Sequence, residues 1–227
     1  MVSTQLGRVD AVSGQTSLQS QSYSKASSVP KFIETIELLP VAGVEPALTA
    51  SAQQLRSSAE GAFGVDTLSA SATSALGATN IALTLYPPPP GLGPVPLPSV
   101  QITADGASSQ STFNQVFPQP ATHSGKASVN NLTIIGQLLG GGQIIHFNGA
   151  ISPNTVLFQN AHVKVIGNQQ TAHFGVCPLA ATSAPILPTC EPLSRTTNAV
   201  VVEIHNAVIE GHKVSGTLVL GSATAGQ

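Results

Sequence analysis

Apolar and small polar residues alternate along much of this chain, in segments that each end at Gly, Pro or Asn. The alternation is clearest in Leu68-Ser-Ala-Ser-Ala-Thr-Ser-Ala-Leu76, Asn80-Ile-Ala-Leu-Thr-Leu85 and Val100-Gln-Ile-Thr-Ala104. A repeat of two residues is that of a β-strand, whose successive side chains point to opposite faces. Later segments are richer in branched residues and are predicted as core strands. These are Val129 to Ile135, Gln143 to Phe147, Thr155 to Phe158, His162 to Ile166, Ala199 to His205 and Val214 to Leu220. Many short strands without intervening amphipathic helices describe an all-β, β-sandwich-like domain of jelly-roll or Greek-key type.

Some segments fall outside this pattern. After Pro46 the apolar positions Leu48, Ala52, Leu55 and Ala59 have helical spacing, and the intervening Gln, Arg and Glu favour helix. One short helix is therefore predicted near 46–60. The run from Tyr86 to Pro98 is dominated by proline, which lacks the ladder donor, so it reads as a polyproline II connection between two strands. A ligand for a proline-recognising module is the rarer reading of such a run. Gly140-Gly-Gly142 lacks a following Lys-Ser or Lys-Thr and reads as a hairpin turn, not a phosphate loop. A faint internal echo joins Val129-Asn-Asn131-Leu-Thr-Ile134-Ile-Gly136 to Ile204-His-Asn206-Ala-Val-Ile209-Glu-Gly211. Two strands ending in equivalent turns would produce it.

Charge removes several functions. The 227 residues carry 8 Lys and Arg against 10 Asp and Glu, a formal net charge of −2, with 8% charged and 41% hydrophobic. The basic residues are scattered from Arg8 to Lys213, so no nucleic-acid footprint exists and no nucleic-acid partner is expected. No apolar run reaches the length of a membrane span. The N-terminus lacks a basic start followed by an apolar stretch, so no secretory signal is expected in this numbering. Cys177 and Cys190 bracket an uncharged loop with three prolines. A disulfide is the expected state of this pair, which matches neither a CxxC motif nor a zinc pattern. That expectation, the few lysines and the abundant Ser, Thr, Asn and Gln point to an extracellular or cell-surface setting.

Candidate chemistry is sparse. The six histidines His123, His146, His162, His173, His205 and His212 all fall in the second half, but no HxH, HExxH or HxxxH spacing joins them. No metal or other cofactor is expected. Glu203 and His205 are two apart and share a strand face, the minimum for an acid–base pair, with Glu210 and His212 nearby. No nucleophile elbow or paired-carboxylate pattern accompanies them, so a hydrolase built on Glu203 and His205 is the weakest alternative. Asn131-Leu-Thr133 satisfies the glycosylation sequon within an apparent strand. Without Trp, and with only Tyr23 and Tyr86, the chain lacks the usual stacking platforms for sugars.

Taken in order, Ala62-Phe-Gly-Val65, the small-residue run, the proline-rich break, Val100 to Ser109, Ser128 to Gly136, Pro153-Asn-Thr-Val156, Gly167 to Thr171 and Gly221 to Gly226 resemble the choice-of-anchor P proteins. The likeness covers about residues 45 to 226. It implies a bacterial surface or secreted domain without catalytic residues, commonly anchored at its end. No sorting signal precedes Gln227, and the family's Asn before the final strands is displaced into Glu203-Ile-His-Asn206.

These readings combine into a non-enzymatic extracellular structural protein, a self-assembling subunit of a filament, coat or matrix whose partners are copies of itself. Residues 1–25 are expected to form an arm, and 26–227 a single domain with the Pro-rich loop 86–98 and the disulfide loop 177–190. Gly7 to Ser13 and Thr16 to Tyr23 alternate like strands. Val9, Val12, Leu18 and Tyr23 would thus complete a neighbour's sheet by strand addition. The runner-up is a monomeric adhesin or ligand-binding module, with the 177–190 loop and the proline-rich loop forming one recognition tip.

Overall fold

The computed structural model describes residues 21–36, 48–83, 100–138, 141–174, 192–209 and 212–226. Two antiparallel sheets face one another, as a sandwich of alternating strands requires. The first sheet contains β1 (Gln21–Ile36), β2 (Leu48–Phe63), β3 (Thr67–Leu76), β4 (Thr79–Leu83), β5 (Val100–Ala104), β6 (Gly106–Val116), β7 (Thr122–Leu138) and β8 (Gly141–Ile151). The second contains β9 (Thr155–Gln159), β10 (Val163–Phe174), β11 (Pro192–Ile209) and β12 (His212–Gly226). Its strand β12 packs over β3 and β6, β11 over β6 and β7, and β10 over β7.

Registers show that four short strands are halves of two long ones. β2 pairs with β3 from Phe63↔Leu68 to Arg56↔Ala75, then with β4 from Ala52↔Thr79 to Leu48↔Leu83, in one unbroken register. β5 and β6 likewise pair in one register with β3 and β4 on one side and with β7 on the other. Neighbours in space are thus neighbours in sequence, and each sheet is a meander. The crossing connection of a jelly roll or Greek key, expected above, is absent among the described residues. Both long connections that might have carried it join adjacent strands: Leu83 lies opposite Val100, and Phe174 opposite Pro192.

A transverse line divides each sheet. On β2, Ala50 and Ala52 are buried, Gln53 and Gln54 are exposed, and Leu55 and Ala59 turn back to the core. The alternation inverts there, with Gln54 at φ 51°. The same inversion falls between Leu76 and Thr79, between Ala104 and Ala107, and between Val129 and Leu132, where Asn131 has φ 48°. Sheet two repeats it at Asn168 (φ 50°) and Gly221 (φ 63°). This line corrects the helix predicted near 46–60. Inverting a two-residue repeat places core positions at 52, 55 and 59, which is helical spacing written into a strand.

The inversion also accounts for the internal echo. Asn131 and Asn206 lie inside β7 and β11, not at turns, and both are left-handed (φ 48° and 46°). Each sits at a register shift, Val129/Leu132 or Ile204/Ala207. Asparagine tolerates this conformation better than other residues with a Cβ. In both bulges its N–H donates to a side chain on the next strand, Asn148 Oδ1 (3.4 Å) or Ser215 Oγ (2.9 Å). The repeated Asn therefore marks two equivalent β-bulges.

Candidate functional site

Most of the expected assembly and disulfide residues, Val9, Val12, Leu18, Cys177 and Cys190, lie outside the described residues, as do the whole proline-rich loop 86–98 and the whole 177–190 loop. Tyr23 is described. It lies in β1 opposite Gly61, and Gln21 to Lys25 pair with Phe63 to Ala59 of the same chain. The last five residues of the expected arm are therefore part of this chain's own sheet. The anchors of the two loops also separate. Leu83 and Val100 lie at the end of the sandwich marked by Gly136, against which Phe158 packs. Phe174 and Pro192 lie toward the other end, beyond the level where Thr197 meets Gly125. A single tip made of both loops is not what the strand ends prepare.

Glu203 and His205 do share a face of β11. Glu203 Oε2 accepts from His205 Nε2 at 3.4 Å, with side chains 24% and 58% exposed. The His205 N–H donates to His162 O at 2.7 Å, and Lys164 lies opposite Glu203 in the register. This is a solvated surface pair of the kind that contributes little to stability. His146 bonds Thr133 and His173 bonds Thr196, each across to the adjacent strand. His123 faces inward against Phe113, ring centroids 5.1 Å apart, and neither ring nitrogen has a hydrogen-bond partner. Among the described residues no three His, Cys, Asp or Glu are grouped to hold a metal, and no helix is long and apolar enough to cross a membrane. The Asn131 amide of the sequon donates to Asp105 Oδ2 at 2.7 Å.

A polar layer between the sheets was not anticipated from the sequence. Asn168, 2% exposed, donates to Ile151 O at 2.7 Å, which leaves its Oδ1 to accept from Gln170 Nε2 at 3.0 Å. Gln170 Nε2 also donates to Gly125 O, and its Oε1 accepts from Arg195 Nη1 at 3.0 Å. Alongside, Ser111 donates to Ala223 O and shares a 2.8 Å bond with Thr197 Oγ1, both side chains fully buried. Gly125 admits the close approach, since a Cβ there would strike the Thr197 hydroxyl and the Gln170 amide. These bonds join β6, β7, β8, β10, β11 and β12. Their chemistry is that of a lock between layers, a connected chain of donors and acceptors. Nothing in sequence spacing marks it, because its members lie on different strands.

The open edges are the most exposed apolar parts of the sandwich sides. Among the described residues, the first sheet ends at β1 and β8 and the second at β9 and β12. Ile144 on β8 is 59% exposed, Val156 on β9 48% and Val219 on β12 46%. β8 and β9 contain no Lys, Arg, Asp or Glu, and β12 only Lys213. β1 differs, with Lys25, Pro30, Lys31 and Glu34. No family model, no curated protein and no solved structure matches this chain.

Proposed function

We propose that this chain is a non-enzymatic structural protein of the cell exterior that assembles with copies of itself into a filament, coat or matrix. The observation that carries the reading is the chemistry of the edges. Natural sheets block edge-to-edge pairing with charges, prolines or short strands. Here β8 and β12 are long, nearly uncharged and aliphatic at the rim. Small Ser, Thr and Ala side chains on the sheet faces add no bulk against close stacking. Hydroxyl pairs such as Ser58 with Thr73 (2.6 Å), Ser108 with Ser128 (2.9 Å) and Thr112 with Ser124 (2.7 Å) satisfy one another. Export rests on the resemblance to choice-of-anchor P proteins and on the disulfide expected between Cys177 and Cys190. Gln21, the first residue of β1, lies opposite Phe63, and in this reading the residues before it are the arm that bridges subunits. Negative-stain imaging tests the reading. Fibres or lattices from the full chain, and compact particles after deletion of residues 1–20, are the expected result. Compact particles from both at high concentration would overturn it.

One observation favours a ligand-binding module as the second reading. The turns and strand ends around 64–67, 116–118, 174 and 193 expose Val65, Val116, Phe117, Phe174 and Leu193 toward one end of the sandwich. An apolar end of this kind suits a recognition surface. A chain that stays monomeric yet retains a partner through this end, and loses it with Phe117→Ser, would support that reading over assembly.

A further inference from the structure

We infer that β8 is a pairing edge, and that its partner is β8 of a second copy, run antiparallel about a two-fold axis so that the first sheet continues from one molecule into the next. The inference rests on the self-assembly reading above and names its contact. An open edge offers backbone N–H and C=O groups whose complement is another extended backbone. The four edges differ in how well they can supply it. β1 carries Pro30, which has no donor, and the charges of Lys25, Lys31 and Glu34. β9 spans only Thr155–Gln159 and faces a register shift on β10 at Val165/Ile166. β12 keeps one register from Gly216 to Gly226 after the shift opposite Ile204/Ala207, but left-handed Gly221 divides it into Gly216–Leu220 and Ser222–Gly226. On β8, residues Gly141 to Phe147 pair one to one with Leu138 to Leu132 before the bulge, the longest uncharged edge of the four that neither a register shift nor a left-handed residue interrupts.

The partner follows from the same residues. A β8 strand from a second copy brings no charge to repel its twin, and a two-fold axis matches like with like without any further segment. Ile144, 59% exposed, lies on the outward face at this rim. Ile145 and Phe147 pack against the core from the rim and remain partly exposed. A second β8 would cover their outer flank, which adds the hydrophobic term to the ladder bonds.

Hydrogen exchange of the full chain, read against concentration, is the direct test, with sedimentation velocity alongside. The outward-pointing amides among Gly141 to Phe147, those not already bonded to β7, should become protected as an even-numbered species forms, while those of Gly216 to Leu220 do not change. Ile144→Lys and His146→Lys, both at exposed outward positions, should each remove the β8-paired species and abolish the added protection, with the far-UV spectrum unchanged. Val219→Lys on β12 should leave it intact. A wild-type chain whose β8 amides exchange rapidly at every concentration overturns the inference. So does an assembly that survives both β8 substitutions, and in that case the self-assembly reading stands without this edge. A dimer that is lost with Ile144→Lys but never grows further supports the edge and removes the polymer.

Discussion

Toward the end of the sandwich that holds Leu83, Val100 and Gly136, the facing layers are closed by Ile81, Ile102, Leu132, Ile134, Val163, Val165, Val202 and the ring of Phe158. Toward the other end, past the line of inversions, the same two sheets are joined by Ser111, Thr197, Gln170, Asn168 and Arg195, with Gly125 letting them approach. Strands β7, β10 and β11 run through both ends, so the difference lies in what each side chain can specify. Aliphatic contact is strong and tolerant of sliding, whereas a matched chain of donors and acceptors fixes one alignment of the layers. The apolar end supplies most of the stability, and the polar end sets how the sheets lie across each other.

The sharpest way to break this contrast is at the apolar end. Ile134→Ala, at a fully buried position, should cost about 2–5 kcal/mol in denaturant unfolding. Gly125→Ala forces a methyl into the Thr197 hydroxyl and should cost about 1–3 kcal/mol. Thr197→Ala added to it should recover part of that loss, a coupling visible in a double-mutant cycle. Ser111→Ala, which leaves Ala223 O and Thr197 short of a partner, should cost about 1–3 kcal/mol. Asn131→Ala and Asn206→Ala should each lose roughly 1–2 kcal/mol, while the glycine variants lose much less, because the bulges need a left-handed residue. The smallest effect is expected at the surface pair: Glu203→Gln and His205→Ala should change the unfolding midpoint by less than about 0.5 kcal/mol equivalent. Equal losses for Ile134→Ala and the Glu203 or His205 variants would erase the distinction between core and rim.

How much of this was readable beforehand depends on whether a feature is local. The two-residue alternation at 68–76 and 100–104, and the branched run at 199–205, are each properties of one strand and identified strands directly. β1 and β6 were missed because Gln21–Ile36 and Gly106–Val116 are rich in Ser, Thr and Gln, whose hydroxyls and amides blur the contrast between faces. The stretch after Pro46 was misread for a physical reason, since a pleat inversion at Gln53 and Gln54 imitates a helical repeat. The meander was hidden because the sequence does not show that β3 and β4, or β5 and β6, share one register. The echo around Asn131 and Asn206 was visible as a pattern, yet its meaning as paired bulges required the backbone angles. The polar layer of Asn168, Gln170, Arg195, Ser111 and Thr197 has no sequence signature at all, being assembled from separate strands. The low overall charge, by contrast, was plain in the composition, and the structure adds which strands are edges and that β1 alone of the four is guarded by charges.

Sedimentation velocity of the full chain beside its Ile144→Lys variant, over a wide range of concentration, tests the central claim most directly. Paired edges predict that the wild-type coefficient climbs with concentration to values that the variant does not reach. Two superimposable monomer profiles, or two equally associated ones, would contradict it.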